Sequence, residues 1–190
     1  QPIAGEISRR YVISDNFPKD NLIFTSRSYS NEDRGSLMNT EYQDKEISWK
    51  TKGALVATPS HHQKMVLVDY EDPEAALGFV MGHNMLDSYW DTPDHSNVRK
   101  AENKGRNGMV PFHDYSSRVT GPIVGDLFRN FASAWQKETG VALSLPHFES
   151  YPVRGLDRAV CQILRTQPQY GRQDIKQCYL QAANNATQYI

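Results

Sequence analysis

Apolar residues in the middle of the chain form three short runs, and this pattern predicts three neighbouring strands. The first run, residues 54–58, ends at Pro59. Residues 61–69 alternate with a period of two, so that side chains two positions apart share a face of the expected strand. Residues 76–82 form the third run. The connection between the second and third runs is too short for a crossover, so we expect these two strands to be antiparallel.

Helical periodicity is clearest in the second half of the chain. Residues 115–120 predict another strand, and Pro122 then opens the clearest helix, which Gly140 ends. Residues 159–166 predict a further strand, and residues 174–189 predict a second helix. One face of the first helix is apolar, and we expect its residues to pack in the core. That face consists of Val124, Leu127, Phe128, Phe131 and Trp135.

The first 53 residues are polar and show no clear periodicity. Two short apolar clusters, residues 10–14 and 22–25, predict strands. Residues 30–35 have the composition of a turn or loop. We therefore expect a loop-rich lead-in with short strands, which belongs to the same domain as residues 54–190.

Composition and charge narrow the class of protein. The chain has 190 residues, enough for one domain with a sizeable core. It contains 21 lysine and arginine residues against 22 aspartate and glutamate residues, a formal net charge of -1 that argues against nucleic acid as a partner. No apolar run approaches the roughly 18 residues that a membrane span needs. The chain starts at Gln1 and not at methionine, so we expect it to be cut from a longer protein. Cys161 and Cys178 can be bridged or free, and no motif gives either one a function.

The alternating stretch carries the candidate chemistry. Read as a strand, it places His62 and Lys64 one pleat apart on one face, and we expect Val66 and Val68 to continue that face into the core. An ammonium beside an imidazole suits a phosphate group. The lysine supplies fixed positive charge, and the histidine can act as a nucleophile or a proton carrier.

The opposite face of the same strand carries Met65, Leu67 and Asp69. Asp69 therefore points away from His62, and the residue pattern favours a salt bridge or a turn contact for it. His61 also points away from its neighbour, because adjacent strand residues face opposite sides. We expect His61 to be structural or to line the pocket, and we expect no metal site here.

Several motifs, in this order, resemble the phospholipase D superfamily. They are H-x-K-x4-D at residues 62–69, Gly82-x-Asn84, Asp114, and Gly121-Pro122 at the start of the first predicted helix. The H-x-K-x4-D spacing alone is moderately specific, and the downstream elements make the resemblance strong. It covers residues 54–140 and, more weakly, residues 159–190.

A narrower resemblance lies in residues 81–91, whose sequence is similar to that of bacterial phospholipase D effectors delivered by type VI secretion. The superfamily resemblance implies an α/β fold, namely an α/β/α sandwich with a mixed sheet that forms one half of a pseudo-two-fold pair. Residues 54–190 would then be a catalytic half-domain with one H-x-K-x4-D motif, and the second half would be absent from this chain.

The resemblance also implies how the site works. Two histidines, one from each half, face each other across the phosphate: one forms a phosphohistidine, and the other protonates the leaving alcohol and then activates water. Which of the two His62 represents stays open. Lysines and asparagines neutralise the phosphoryl oxygens, so no metal or other cofactor is required, and an acidic residue fixes the imidazole tautomer. The implied catalytic residues are His62, Lys64, Asp69, Asn84 and Asp114, and the implied substrate-binding residues are Lys64, Gly82, His83 and Asn84.

The chain departs from the family pattern in two places. Where the family motif reads Gly-Ser-x-Asn, residues 81–84 of this chain read Met-Gly-His-Asn. Gly82 stands in place of the serine and can offer a phosphate only its backbone. The chain also has one H-x-K motif, because none of its other histidines is followed by a lysine two positions later. It therefore pairs with itself, or its second half lies on another chain or was cut away. The end of the last helix at residues 189–190 favours the cut, and we expect the isolated chain to be inactive.

These inferences lead to one main hypothesis and two alternatives. The main hypothesis is hydrolysis of glycerophospholipids to phosphatidic acid and a head-group alcohol, with the membrane surface as substrate. The narrower resemblance adds an antibacterial toxin that is secreted and delivered into the periplasm of a target cell, with an immunity protein as a further partner. The alternatives are a homodimeric nuclease of the same superfamily, and a non-catalytic half that only binds a partner or an inhibitor protein.

Overall fold

A computed structural model of the protein describes residues 23–42, 45–84, 89, 114–153 and 159–189. The strand predicted at residues 10–14 lies outside the described residues. In chain order the elements are α1 (Asn31–Tyr42), α2 (Trp49–Ala57), β1 (Met65–Val68), β2 (Leu77–Met81), β3 (Ser116–Val119), α3 (Ile123–Thr139), β4 (Thr166–Gln167), β5 (Arg172–Gln173) and α4 (Asp174–Asn185), with short 3-10 helices at Phe148–Ser150 and Pro168–Tyr170.

The chain divides into two compact units. One comprises residues 1–61, 133–143 and 164–190, and the other comprises residues 62–132 and 144–163. Helix α3 contributes its first ten residues to the second of these units and its remainder to the first. The boundary predicted after residue 53 falls inside α2.

The second unit contains a three-stranded antiparallel sheet in the order β1-β2-β3. Met65 pairs with Val80 in β1–β2, and Gly78 pairs with Val119 in β2–β3. The antiparallel pairing of β1 with β2 confirms the prediction from the short connection. The strand predicted at residues 115–120 is confirmed as well.

Helix α3 supplies much of the core of the second unit. Val124, Leu127 and Phe128 are buried, as the apolar stripe predicts. Phe128 contacts Phe148 with ring centroids 5.3 Å apart. A methyl group at Gly125 would lie 2.7 Å from the Phe148 ring, so glycine lets the helix backbone approach that ring closely.

The structure buries less of the apolar face of α3 than the sequence predicts. Phe131 belongs to the same apolar stripe, but its side chain is 39 % exposed. Helical spacing shows which residues share a face, but it does not show how far the neighbouring elements cover that face. The predicted end of the helix is confirmed, because Gly140 adopts a φ of 73° directly after Thr139.

Helix α1 begins where a turn was predicted, and that prediction is wrong. The backbone N–H of Asp33 donates to Ser30 Oγ at 3.1 Å, and the Asp33 carboxylate accepts from the Ser30 N–H at 2.9 Å. This reciprocal pair is a capping box, in which two side chains satisfy backbone donors at a helix start. Ser-Asn-Glu-Asp therefore starts a helix here.

Helix α2 replaces the buried strand predicted at residues 54–58, and that prediction is also wrong. Ser48 caps the helix by accepting from the Thr51 N–H at 3.2 Å, and no side chain of α2 is buried. A short apolar run cannot distinguish a strand from a helix by itself. Arg34 stabilises the end of α2, donating to the carbonyl oxygens of Val56 and Ala57 at 2.7 and 2.9 Å.

A partly buried ion pair joins α1 to the last turns of α3 within the first unit. Lys137 Nζ donates to both carboxylate oxygens of Asp33 at 2.5 Å. Burial alone would raise the pKa of Asp33, but the hydrogen bonds from Lys137 and Ser30 outweigh it and lower the pKa below its ordinary value. The pair therefore stays ionised at neutral pH.

The C-terminal part of the first unit is less regular than predicted. Of the strand expected at residues 159–166, only Thr166 forms part of a strand, and β4 and β5 make a two-stranded ladder. The helix predicted at residues 174–189 is confirmed from Asp174 to Asn185. No helix in the described part of the chain is long and apolar enough to cross a membrane.

The described elements combine helices with small sheets, in agreement with the predicted α/β class. All strand pairs among these residues are antiparallel. The mixed sheet, the α/β/α layering and the pseudo-two-fold relation to a second half stay predictions.

Candidate functional site

One end of the three-stranded sheet gathers the polar residues that the sequence singled out. The Met81 N–H donates to the Lys64 carbonyl oxygen at 3.0 Å, and the Gly82 N–H donates to the Tyr115 carbonyl oxygen at 3.0 Å. Both ladders therefore continue beyond the strand ends. Extending the register places His62, His83 and Asp114 in one row across the three strands.

The next row on the same face contains Lys64, Met81 and Ser116, because residues two apart in a strand point to the same side. His62 and Lys64 thus share a face, as the alternation predicts. The opposite face packs towards α3, where Asn130 Nδ2 donates to Gln63 Oε1 at 3.4 Å.

The face that carries His62 is not the covered face of the sheet. Val66 and Val68 are each 36 % exposed, so the prediction that they continue this face into the core is wrong. Met65 and Leu67, on the other face, are less exposed. Alternation shows which side chains share a face, whereas the partner element decides which face is buried.

His62 and Lys64 are in direct contact. Lys64 Nζ lies 3.0 Å from both ring nitrogens of His62, and it donates to the His62 carbonyl oxygen at 3.0 Å. Only the unprotonated ring nitrogen can accept a hydrogen bond from the ammonium. The His62 side chain is exposed. A positive charge and an imidazole are therefore available together to an anion at this end of the sheet.

Gly82 lets β2 and β3 approach each other beside this pair. A methyl group at Gly82 would lie 2.9 Å from the Tyr115 carbonyl oxygen and 3.4 Å from Asp114 Cβ. A larger residue would force the strands apart where the ladder reaches the site. This is a backbone reason for glycine at a position where the family wording has serine.

His83 and Asn84, which follow Gly82, both have side-chain partners. Ser116 Oγ lies 2.8 Å from His83 Nδ1, and Asn84 Nδ2 donates to the Tyr89 hydroxyl at 3.0 Å. The sequence did not single out Ser116 or Tyr89 for these roles. The register of β3 against β2 is the signal that identifies Ser116, and sequence alone does not fix that register.

The two candidate aspartates occupy different places. Asp114 is exposed and shares the row of His62 and His83, although among the described residues no hydrogen bond links it to either ring. Asp69 follows β1 with a φ of 47°, and its carbonyl oxygen accepts from the Asp72 N–H at 2.9 Å. Strand β1 lies between His62 and Asp69, and seven positions of extended chain span roughly 20 Å. The structure therefore does not bring Asp69 to the site, and it places this residue in a turn.

His61 belongs to the other compact unit and has a different environment. Its ring stacks on Tyr29, with centroids 4.2 Å apart and planes 7° from parallel. Burial, together with the positive charge of Arg27, lowers the pKa of His61 to about 4. Within the described part of the chain, its buried Nε2 has no hydrogen-bond partner. The ring is therefore neutral at pH 7, in keeping with a structural role.

The described residues contain no group of three or more histidine, cysteine, aspartate or glutamate side chains that could hold a metal ion. Cys161 and Cys178 are both free and exposed.

Several plant proteins are similar in sequence to part of this chain. Phospholipase D alpha 1 of Nicotiana tabacum is 34 % identical over 103 residues, covering 43 % of this chain and 13 % of the relative. The enzyme of the same name from Oryza sativa subsp. japonica is 33 % identical over 108 residues, covering 45 % and 13 %. That from Arabidopsis thaliana is 32 % identical over 104 residues, covering 43 % and 13 %. The chain thus matches only a small part of the length of these plant relatives.

No solved structure matches the chain. The family model described as phospholipase D matches residues 25–182, which is most of the chain and includes both His62 and Lys64. The predicted resemblance is confirmed: the chain belongs to the phospholipase D family.

Proposed function

We propose that the chain provides one half of an active site that hydrolyses the head-group phosphodiester of glycerophospholipids. The observation that carries this proposal is the contact between His62 and Lys64 on an exposed sheet face, with Nζ 3.0 Å from both ring nitrogens. A positive charge held beside an imidazole fits a phosphate diester, which is anionic and needs a nucleophile or an acid at phosphorus.

The proposed reaction has two steps and uses two histidines, of which His62 is one. In the first step, an unprotonated ring nitrogen attacks phosphorus while the bond from phosphorus to the head-group oxygen breaks, and the second histidine gives that oxygen its proton. In the second step, water attacks the phosphohistidine and its proton passes to the second histidine. Phosphatidic acid and the head-group alcohol leave, and both rings are restored.

The other candidate residues have supporting roles in this proposal. Lys64 neutralises a non-bridging phosphoryl oxygen, and the Asn84 amide, supported by the Tyr89 hydroxyl, donates to another. His83 contacts the phosphoryl group, and Gly82 keeps the strands close enough for it to do so. Asp114 stabilises an imidazolium in its row of the sheet.

The second histidine comes from a second H-x-K half, either on another chain or in a C-terminal half of a longer protein. As the biological role, we propose an antibacterial effector toxin that is secreted, reaches the periplasm of a target cell and is blocked by an immunity protein. This role is supported by the sequence of residues 81–91, which resembles that of bacterial phospholipase D effectors. Growth arrest by the assembled protein in the periplasm of a susceptible bacterium, relieved by His62→Ala, tests it.

The catalytic prediction is that His62→Ala abolishes head-group release by the assembled protein, which contains this chain together with its second H-x-K half. The measurement is release of ethanolamine and glycerol from vesicles of phosphatidylethanolamine and phosphatidylglycerol. We expect the rate to fall below roughly a thousandth of that of the wild type, because removing a nucleophile or acid disables both steps.

His147→Ala is the matched control, since the His147 side chain is 84 % exposed and lies outside the site. This variant should keep the wild-type rate. Head-group release that survives His62→Ala would remove the basis of the assignment. Metal-free plasmid cleavage by the chain would favour the nuclease alternative instead.

A further inference from the structure

The hydrogen bond between Ser116 and His83 connects the end of β2 with the beginning of β3. Ser116 Oγ lies 2.8 Å from His83 Nδ1, and both residues lie on the face that carries His62 and Lys64. The Gly82 N–H bond to the Tyr115 carbonyl oxygen holds the backbones together at this point. The imidazole is therefore attached to the sheet through one ring nitrogen, and among the described residues its other nitrogen has no hydrogen-bond partner.

The partner of one ring nitrogen decides where the proton of a neutral histidine resides. If a hydroxyl donates to Nδ1, that nitrogen is the acceptor and the proton is on Nε2. Among the described residues, the Ser116 hydroxyl has no other acceptor. We propose that Ser116 is a positioning residue that donates to His83 Nδ1 and thereby presents Nε2–H of His83 to a phosphoryl oxygen.

This inference rests on the proposed function, because a phosphoryl group beside His62 is what His83 would contact. Continuing the register of β1 against β2 places His83 opposite His62. Lys64 already supplies the positive charge in the adjacent row, so a neutral N–H donor adds direction without a second charge. Such a donor favours a phosphate that lies beside His62 and His83.

The test reads the His83 tautomer directly, by 15N NMR of the 190-residue chain labelled at histidine. The wild type should show His83 protonated at Nε2. Ser116→Ala should give a mixture of tautomers, and Ser116→Thr, which keeps the hydroxyl, should restore the wild-type state. Ser117→Ala is the matched control: it is the next residue of β3, its side chain points to the opposite face, and it should leave the tautomer unchanged.

Titration with inorganic phosphate then tests the function of the donor. Phosphate should shift the His62 and His83 signals of the wild type. Ser116→Ala should weaken phosphate binding by about three- to tenfold, as the loss of one neutral hydrogen bond predicts. Ser116→Thr and Ser117→Ala should bind phosphate like the wild type.

The outcomes separate the two proposals. If His83 is protonated at Nδ1, or if its tautomer is the same in Ser116→Ala, the role of Ser116 is refuted. If phosphate shifts His62 but not His83, the inference fails and the proposed function stands. If phosphate shifts neither histidine, the proposed site itself fails.

Discussion

His61 and His62 are adjacent in sequence, but their side chains have different environments. His62 is exposed and contacts Lys64, whereas His61 stacks on Tyr29 and has a pKa lowered to about 4. A neutral stacked ring is a packing element, and an exposed imidazole beside an ammonium is available for chemistry. Of this histidine pair, only His62 is therefore a candidate for catalysis.

The lowered pKa of His61 predicts a specific pH dependence of stability. In the unfolded chain the ring binds a proton below its ordinary pKa of 6.5, but in the folded protein it does so only near pH 4. The unfolded state therefore binds more protons between these values, and the free energy of unfolding should fall as the pH falls from 6.5 towards 4. We expect a loss of about 1 to 2 kcal/mol, less than the full shift would give, because the ring is partly exposed.

His61→Phe is the variant that isolates this effect, because it keeps an aromatic ring against Tyr29 and cannot titrate. Urea unfolding at pH 7 and at pH 5 should show a smaller loss of stability for His61→Phe than for the wild type. Asp33 does not interfere in this range. Its pKa is lowered, so its contribution disappears only below its ordinary value of 3.8. An equal loss in both proteins would show that the pKa of His61 is not depressed.

At the scale of the element, the side chain of Ser30 caps the start of α1. Ser30→Ala removes the oxygen that accepts from the Asp33 N–H, and it also removes the hydroxyl that donates to the Asp33 carboxylate at 3.0 Å. We expect a loss of about 1 kcal/mol in the free energy of unfolding, typical of a helix N-cap. Urea unfolding measures the loss, and amide hydrogen exchange should locate it in α1.

Ser36→Ala is the matched control for the cap, since Ser36 is exposed in the middle of the same helix. Alanine is the better helix former there, so this variant should be as stable as the wild type or more stable by up to about 0.5 kcal/mol. Equal destabilisation by both substitutions would mean that the Ser30 hydroxyl does not stabilise α1.

These caps also explain which elements the sequence predicts. Helix α3 has a proline before its first turn, a wide apolar stripe and Gly140 at its end, and all these signals agree. Helices α1 and α2 have weak periodicity and depend on the caps from Ser30 and Ser48, and serine also favours turns. Local composition therefore predicts a turn at the start of α1 and a strand within α2. Capping hydrogen bonds from Ser30 and Ser48 stabilise helices there instead.

The candidate site was predictable in part for a similar reason. Alternation alone places His62 and Lys64 on one face, because it depends only on the geometry of one strand. The juxtaposition of His83 with Ser116 depends on the register of β2 against β3, and the long interval between these strands does not specify it. The separation of Asp69 from His62 also follows from the geometry of one strand, because β1 lies between them.

At the scale of the whole molecule, the geometry of phosphoryl transfer is the reason why the proposed mechanism needs a second H-x-K motif. The attacking and leaving atoms lie roughly in line on opposite sides of phosphorus. In the proposed mechanism, the two catalytic histidines must therefore face each other across the phosphate. Continuing the strand register places His83 and Asp114 beside His62, so in the proposed mechanism they flank the phosphate and do not face His62 across it. In the proposed mechanism, the opposing histidine comes from a second half.

We therefore predict that the 190-residue chain alone binds inorganic phosphate but does not release head groups from phospholipid vesicles. Without an opposing acid the rate should fall by at least about 10²- to 10⁴-fold relative to the assembled protein. Head-group release and native mass, measured across a range of chain concentrations, test this. Addition of a partner with its own H-x-K motif should restore activity and increase the mass by that partner. A rate that rises with the square of the chain concentration, together with a mass of two chains, would instead show that the chain supplies both halves by self-pairing. Turnover by a species with the mass of one chain would contradict the requirement for a second motif, because the acid would then have to come from within this half.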